Sequence, residues 1–251
     1  MSAINFEALK KAYDEDGFIF IPGFLTKEEV DVINKRLESY IKETVPKMSP
    51  QHLFYEDKND PSTLKQMQNL FVYDPYFLQL LEGSKFKKIA EVLLEENVIG
   101  KEVEYFNKPP RIGKPTPPHQ DNYYFNLKAA NAITMWMALE DVDRENGCLH
   151  YVKGSHLKGL RAHARTQTLG FSQGITDFGE KDVANEIAFP VAAGGLLVHH
   201  SLTIHRADGN NSDLRSRRAL GLIYFAASAK VDEKSRESYE QALKGAGQEV
   251  L

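Results

Sequence analysis

Residues Asn131-Ala-Ile-Thr-Met-Trp-Met-Ala-Leu-Glu140 alternate with a period of two, and this pattern restricts the chain more than any other. Odd positions carry Ile133, Met135, Met137 and Leu139, an apolar face that must be buried. Even positions carry Ala132, Thr134, Trp136 and Ala138, which mix small residues with a hydroxyl and an indole. Successive side chains of a strand leave on opposite faces, so this segment is a strand with core on one side and a pocket wall on the other. Thr134 and Trp136 are therefore candidates to contact a ligand, with a large core residue as the alternative reading of Trp136.

The same test applied to Arg217-Arg-Ala-Leu-Gly-Leu-Ile-Tyr-Phe225 places Arg217, Ala219, Gly221 and Ile223 on one face and Arg218, Leu220, Leu222 and Tyr224 on the other. The first face leaves room beside a charged group. An inward arginine is costly unless an anion meets it, which makes Arg217 the candidate anchor for a carboxylate. Arg215 and Arg218 are expected to be solvated.

Short β-type runs near 101–108, 119–126, 131–140, 187–191, 195–200, 202–207 and 217–227 suggest a sandwich or small barrel. Helical spacing at 5–14, 26–45 and 75–97 predicts helices over one outer face, and Thr26-Lys-Glu-Glu29 is a capping-box pattern. Between the first two helices, Gly17-Phe-Ile-Phe-Ile-Pro-Gly23 reads as a strand closed by a Pro-Gly stop. The 251 residues fit one domain, with a helix-rich part (1–100) packed on a β core (101–228) and a C-terminal tail (229–251). Residues 155–186 form a long irregular region, a candidate lid.

Composition narrows the function. A formal charge of -4 gives no whole-chain attraction to nucleic acid or anionic membrane. The N-terminus has no signal-peptide pattern and no apolar run approaches a membrane span, so a cytoplasmic protein is expected. Cys148 is the only cysteine, which excludes an intrachain disulfide and a free-standing metal–thiolate site.

The expected chemistry centres on His119-Gln-Asp121, two ligand-type residues on one face of the run 119–126 if that run is a strand. By itself the pair equally describes a strand histidine hydrogen-bonded to a carboxylate. His205, which closes the apolar run from Gly194, is the best third ligand. Two histidines and one carboxylate on one face of an octahedron suit non-haem iron(II) oxygenases. His199 and His200 point opposite ways, so both cannot join His205, and either serves packing or hydrogen bonding. His150, His156 and His163 have no ligand spacing.

Several segments in order resemble the phytanoyl-CoA dioxygenases. They are Asp16-Gly-Phe-Ile-Phe-Ile-Pro-Gly-Phe24, Asn107-Lys-Pro-Pro110, His119-Gln-Asp-Asn-Tyr-Tyr-Phe125, Trp136-Met-Ala-Leu139, Asn146-Gly-Cys-Leu149, Gly154-Ser-His156, His205 and Arg217-Arg-Ala-Leu220. The resemblance implies a double-stranded β-helix (jelly-roll, cupin-like) core that is mainly β with flanking helices. It implies catalysis by Fe(II), 2-oxoglutarate and O2, with iron held by His119, Asp121 and His205, and 2-oxoglutarate contacted by Arg217 and Trp136. A further contact falls near Glu104 or Lys65-Gln-Met-Gln68. Relatives often carry serine where this chain has Ala207, so Thr134 is the expected substitute contact.

Halogenating members of the wider class replace the carboxylate with a small residue, so Asp121 implies hydroxylation or a related oxidation, and the resemblance implies a small-molecule substrate. Substrate contacts are expected from Tyr123, which would share strand parity with the ligands, and from Arg161 and Arg165 in the basic loop. Two alternatives are a zinc hydrolase using the same ligands and a non-catalytic metabolite-binding protein on the same scaffold.

Overall fold

The computed structural model describes residues 4–83, 85–166 and 173–244. The N-terminal part runs α1 (Phe6–Asp16), β1 (Phe18–Ile21), α2 (Lys27–Glu43), β2 (Leu53–Tyr55), β3 (Leu64–Met67), α3 (Leu70–Tyr73), α4 (Pro75–Glu82) and α5 (Lys85–Leu94). It is followed by β4 (Val98–Lys108), β5 (Thr116–His119), α6 (Asn122–Phe125), β6 (Ala132–Ala138), β7 (Leu149–Val152), β8 (His163–Arg165) and β9 (Gln173–Ile175). The chain continues through α7 (Glu180–Ala184), β10 (Glu186–Phe189), β11 (Leu196–His200), β12 (His205–Ala207), β13 (Arg217–Ala226) and α8 (Glu233–Lys244).

Two antiparallel sheets face each other. The larger has the order β1-β11-β6-β13-β4-β3-β2, and the smaller β10-β7-β12-β5. β8 and β9 form a separate ribbon. The alternation in β6 and β13 divides them as the residue pattern predicts. Ile133, Met135, Met137, Leu220, Leu222 and Tyr224 join one apolar core with Val30, Ile33 and Leu37 of α2, Phe77 and Leu81 of α4, and Phe86 and Ile89 of α5. Trp136, Ala138 and Ala219 face the other way, into a second cluster with Leu149, Tyr151 and Leu197. The helices thus cover the outer face of the large sheet, and the inner face is free to build a cavity against the small one. This is a jelly-roll, mainly β with flanking helices.

The capping box forms: Thr26 Oγ1 accepts from Glu29 N at 3.3 Å, and Glu29 Oε2 accepts from Thr26 N at 2.8 Å. Gly221 has a packing reason. A Cβ there would lie 2.7 Å from the Phe106 ring, so the missing side chain is what lets Phe106 lie across the sheet.

Three expectations need correction. Residues 119–126 are not one strand: β5 ends at His119, Asp121 takes helical angles (φ -61, ψ -31), and α6 follows. The cause lies in the polar side chains of Gln120, Asn122 and Asn126, which bind backbone locally or across loops instead of continuing a ladder. Gln120 Nε2 donates to Gly159 O and Leu202 O at 2.9 and 2.7 Å, and Asn126 ends α6 with φ 52.

The region 155–186, of which 167–172 lie outside the described residues, holds β8, β9 and α7, and none of its described residues lines the cavity. The tail from 229 contains α8. Its polar composition hid it, although Asp232 caps it by accepting from Lys234 N at 3.2 Å, and Arg236 pairs with Glu233 at 2.6 Å. Residues 245–251 of that tail lie outside the described residues. No described helix is long and apolar enough to cross a membrane.

Thr26→Ala is expected to lower unfolding free energy by about 1 kcal/mol in urea titration, because it leaves the Glu29 N–H uncapped.

Candidate active site

Strand pairing brings the distant histidines together. β5 and β12 are antiparallel neighbours with His119 directly opposite His205, and the ring centroids lie 4.1 Å apart. Asp121, one turn past the end of β5, swings its carboxylate between them. Its Oδ1 is 3.6 Å from His119 Nε2 and 3.5 Å from His205 Nε2. The ligand atoms of the three residues all lie within 4.8 Å of one another, a grouping that could hold a metal ion.

Each ligand is oriented by a partner on its far side. His119 Nδ1 contacts Pro117 O at 2.8 Å and His205 Nδ1 contacts Thr203 O at 3.0 Å. A carbonyl only accepts, so each Nδ1 carries the proton and each Nε2 offers its lone pair to the centre. Asp121 Oδ2 accepts from Thr134 Oγ1 at 2.6 Å, and it contacts His199 Nε2 at 2.9 Å. His199 Nδ1 in turn meets Tyr151 Oη at 3.0 Å. With Oδ2 occupied, Oδ1 is the atom turned to the centre.

The electrostatics suit a cation. Burial pulls both His119 and His205 below the usual histidine range, His205 the further because His119 and His199 lie beside it. Burial alone would raise the Asp121 carboxyl, but His205, His199 and His119 around it hold it well below the ordinary carboxylate range. Neutral imidazoles beside an ionised carboxylate are the protonation states that metal coordination requires.

The site opens into a cavity of about 680 Å³ between the sheets. One part of its wall is cationic. Arg217 is 4% exposed, its guanidinium lies 5.3 Å from the Trp136 ring centroid, and its Nε is buried without a hydrogen-bond partner. Burial lowers its pKa to about 10, which still leaves it charged at neutral pH. Lys108, opposite Arg217 in register, is pulled well down by burial and then by Arg217 and Lys65. Its Nζ donates to Lys114 O and to Thr116 Oγ1. Lys65 pairs with Glu56 at 3.4 Å.

The neighbouring arginines are spoken for: Arg215 pairs with Asp143 and Glu145, and Arg218 with Glu140. No carboxylate of the described residues pairs with Arg217.

Other expected contacts fall elsewhere. Thr134 lines the cavity, but its hydroxyl is committed to Asp121. Tyr123 sits on α6 and stacks on His163 with centroids 4.3 Å apart, outside the cavity wall, because the break after β5 removes the parity it was expected to share. Arg161 is held by Asp177 and Asp182 at 2.7 and 2.8 Å, and Arg165 lies on the exposed ribbon strand β8. Neither lines the cavity. His163, assigned no role from spacing, contacts the backbone N–H of Gln120 between the ligands at 3.2 Å.

Cys148, expected in no metal site, groups with His150 and Asp208. There, however, His150 is bound on both nitrogens, by Glu186 at 3.1 Å and Asp208 at 2.7 Å, and Arg206 pairs with both acids. Residue spacing missed the contribution of α8, whose Arg236, Tyr239 and Glu240 close one side of the cavity. The Asp232 cap and the charge pairs were the available signal.

Thr134→Val removes one of the two contacts that turn Asp121 while keeping side-chain shape. Metal affinity, read by titration with Co(II), should fall by roughly tenfold to a hundredfold without loss of fold. Comparison with known proteins agrees with this architecture. The family model for phytanoyl-CoA dioxygenase (PhyH) matches residues 13–219. Phytanoyl-CoA dioxygenase domain-containing protein 1 of Danio rerio is 28% identical over 257 residues, covering 85% of this chain and 87% of its own length. A phytanoyl-CoA dioxygenase of Arabidopsis thaliana is 27% identical, covering 84% and 85%.

Among solved structures, the epimerase SnoN in complex with Fe3+, alpha ketoglutarate and nogalamycin RO superposes with TM-score 0.72 at 23% identity, over 90% of this chain and 85% of SnoN. EvdO2 from Micromonospora carbonacea var. aurantiaca, complexed with 2-oxoglutarate, gives 0.72 at 22% identity over 92% and 94%. These two share the fold. The family match spans most of the sequence, including all three clustered ligands and Arg217, and the chain belongs to the phytanoyl-CoA dioxygenase family.

Proposed function

We propose that the protein is an Fe(II)- and 2-oxoglutarate-dependent dioxygenase that hydroxylates a small-molecule metabolite. The observation that carries this reading is one cavity that joins a two-histidine, one-carboxylate cluster to a buried arginine without a carboxylate partner. Such an arginine is costly unless a ligand supplies the anion. A dicarboxylate that also reaches the metal fits both ends.

In this reading His119, Asp121 and His205 would hold Fe(II), with the cavity beside them open to the cosubstrate. Arg217 binds the distal carboxylate of 2-oxoglutarate, with Trp136 packing beside it. Thr134 acts through Asp121 and not on the cosubstrate. His199 shares that task. Ala207 keeps the wall apolar beside the distal histidine. Ferrous iron with the bound keto acid supplies dioxygen activation, coupled to decarboxylation of 2-oxoglutarate to succinate and CO2. The chain's own part is to orient these reactants in a site screened from water by the two sheets and α8. A zinc hydrolase on the same ligands would leave Arg217 and the cationic wall without a purpose.

The test is anaerobic addition of Fe(II) and 2-oxoglutarate, which should produce the visible charge-transfer band of the chelate. No band, together with no succinate from aerobic incubation over a broad metabolite panel, sinks the oxygenase reading. Arg217→Leu should weaken 2-oxoglutarate by roughly thirtyfold or more in titration of that band, the expected cost of losing a buried charge pair.

A further inference from the structure

The cavity has a second region of opposite character, and the acid there sets aside the 2-oxoglutarate contact that the resemblance implied near Glu104 or Lys65-Gln-Met-Gln68. Glu104 stands on the inner face of β4, level with Gly221 of β13 and Trp136 of β6. Gln66 Nε2 donates to one of its oxygens at 3.4 Å and Gln68 Nε2 to the other at 3.3 Å, and all three side chains line the cavity. Both contacts are long for a charged acceptor. No lysine or arginine of the described residues pairs with Glu104. Burial, then Glu102 and Asp121, hold its carboxyl well above the usual range.

Gln66 is only 2% exposed, and because its amide nitrogen serves Glu104, its Oε1 is left buried with no hydrogen-bond partner. A buried acceptor without a donor, beside an unpaired acid on a cavity wall, points to a missing donor that a ligand brings.

We propose that Glu104, Gln66 and Gln68 receive a primary or secondary ammonium group of the substrate, so that the molecule oxidised is a small amine. This rests on the oxygenase reading for the identity of the bound amine as substrate. An ammonium supplies both the positive charge and the several N–H donors that these acceptors lack, whereas a hydroxyl supplies no charge. The separation of charge also sorts the two ligands. Arg217 repels an ammonium and attracts the dicarboxylate, while Glu104, whose protonated form burial favours in the empty cavity, ionises as an ammonium arrives beside it. The cavity volume lies within the roughly 300–1,000 Å³ of small-molecule sites, and here it is shared with 2-oxoglutarate.

Isothermal titration calorimetry on the iron-free protein, with n-butylammonium, butan-1-ol and butyrate as probes, separates charge from apolar contact. The ammonium should bind measurably better than the alcohol or the carboxylate of equal length. Glu104→Gln should weaken it about tenfold or more, and Gln66→Leu by a smaller factor. Equal binding of ammonium and alcohol, no ammonium binding, or unchanged affinity in folded Glu104→Gln would each overturn the proposal. Because Asp121 is also open to a cation in the iron-free protein, an ammonium preference supports the proposal only if Glu104→Gln, or Gln66→Leu should that variant not fold, reduces it and Asp121→Asn does not; the reverse pattern overturns it. The anaerobic band of the wild-type protein is recorded in parallel. Its absence counts against the oxygenase reading, and the calorimetry still judges the cation site.

Discussion

A carboxylate buried among imidazoles sets the terms for the centre of this molecule. Asp121 is 9% exposed, and an isolated ionised group in that position would cost several kcal/mol. The surrounding structure removes that cost by directing donors at one oxygen. Thr134 from β6 and His199 from β11 occupy Oδ2, and Tyr151 from β7 braces His199. Each hydrogen bond to a charged group contributes about 1.5–3 kcal/mol. The other oxygen faces His119 and His205 and is satisfied fully only by a cation. Both sheets therefore converge on one side chain, and the spacing between them is tied to it.

The division of labour within β6 and β13 follows from this. Their outer residues pack under α2, α4 and α5, so the large sheet is stiffened from behind. Their inner residues are then free to be polar or small without loss of the core. Thr134, Trp136, Arg217 and Gly221 make four different uses of that face: a hydrogen bond to Asp121, an aromatic wall, a buried cation without a carboxylate partner among the described residues, and space for Phe106. A site on sheet strands backed by a packed core holds its groups more rigidly than loops can.

Charge is segregated along the cavity. Arg217 lines one part of the wall, and the acidic residue Glu104 lines another, on the inner face of β4. In a low-dielectric interior such separation is costly while empty and becomes favourable when ligands of matching charge arrive.

The residue order alone determined the parity of β6 and β13, and with it the inward placement of Trp136 and Arg217, because a strand offers only two faces. It also marked the capping box at Thr26 and the ligand-type residues at 119, 121 and 205. Only the tertiary structure decided how those residues meet. His119 and His205 are opposite each other through a strand pairing between distant segments, and Asp121 reaches them from a helical turn, which no period-two rule describes. Likewise, three arginines at 215, 217 and 218 look alike in sequence. Their roles separated only when Asp143, Glu145 and Glu140 folded against two of them and left the third facing the cavity. α8 joined the wall for the same reason: a polar helix gains its place from what it covers, which periodicity does not record.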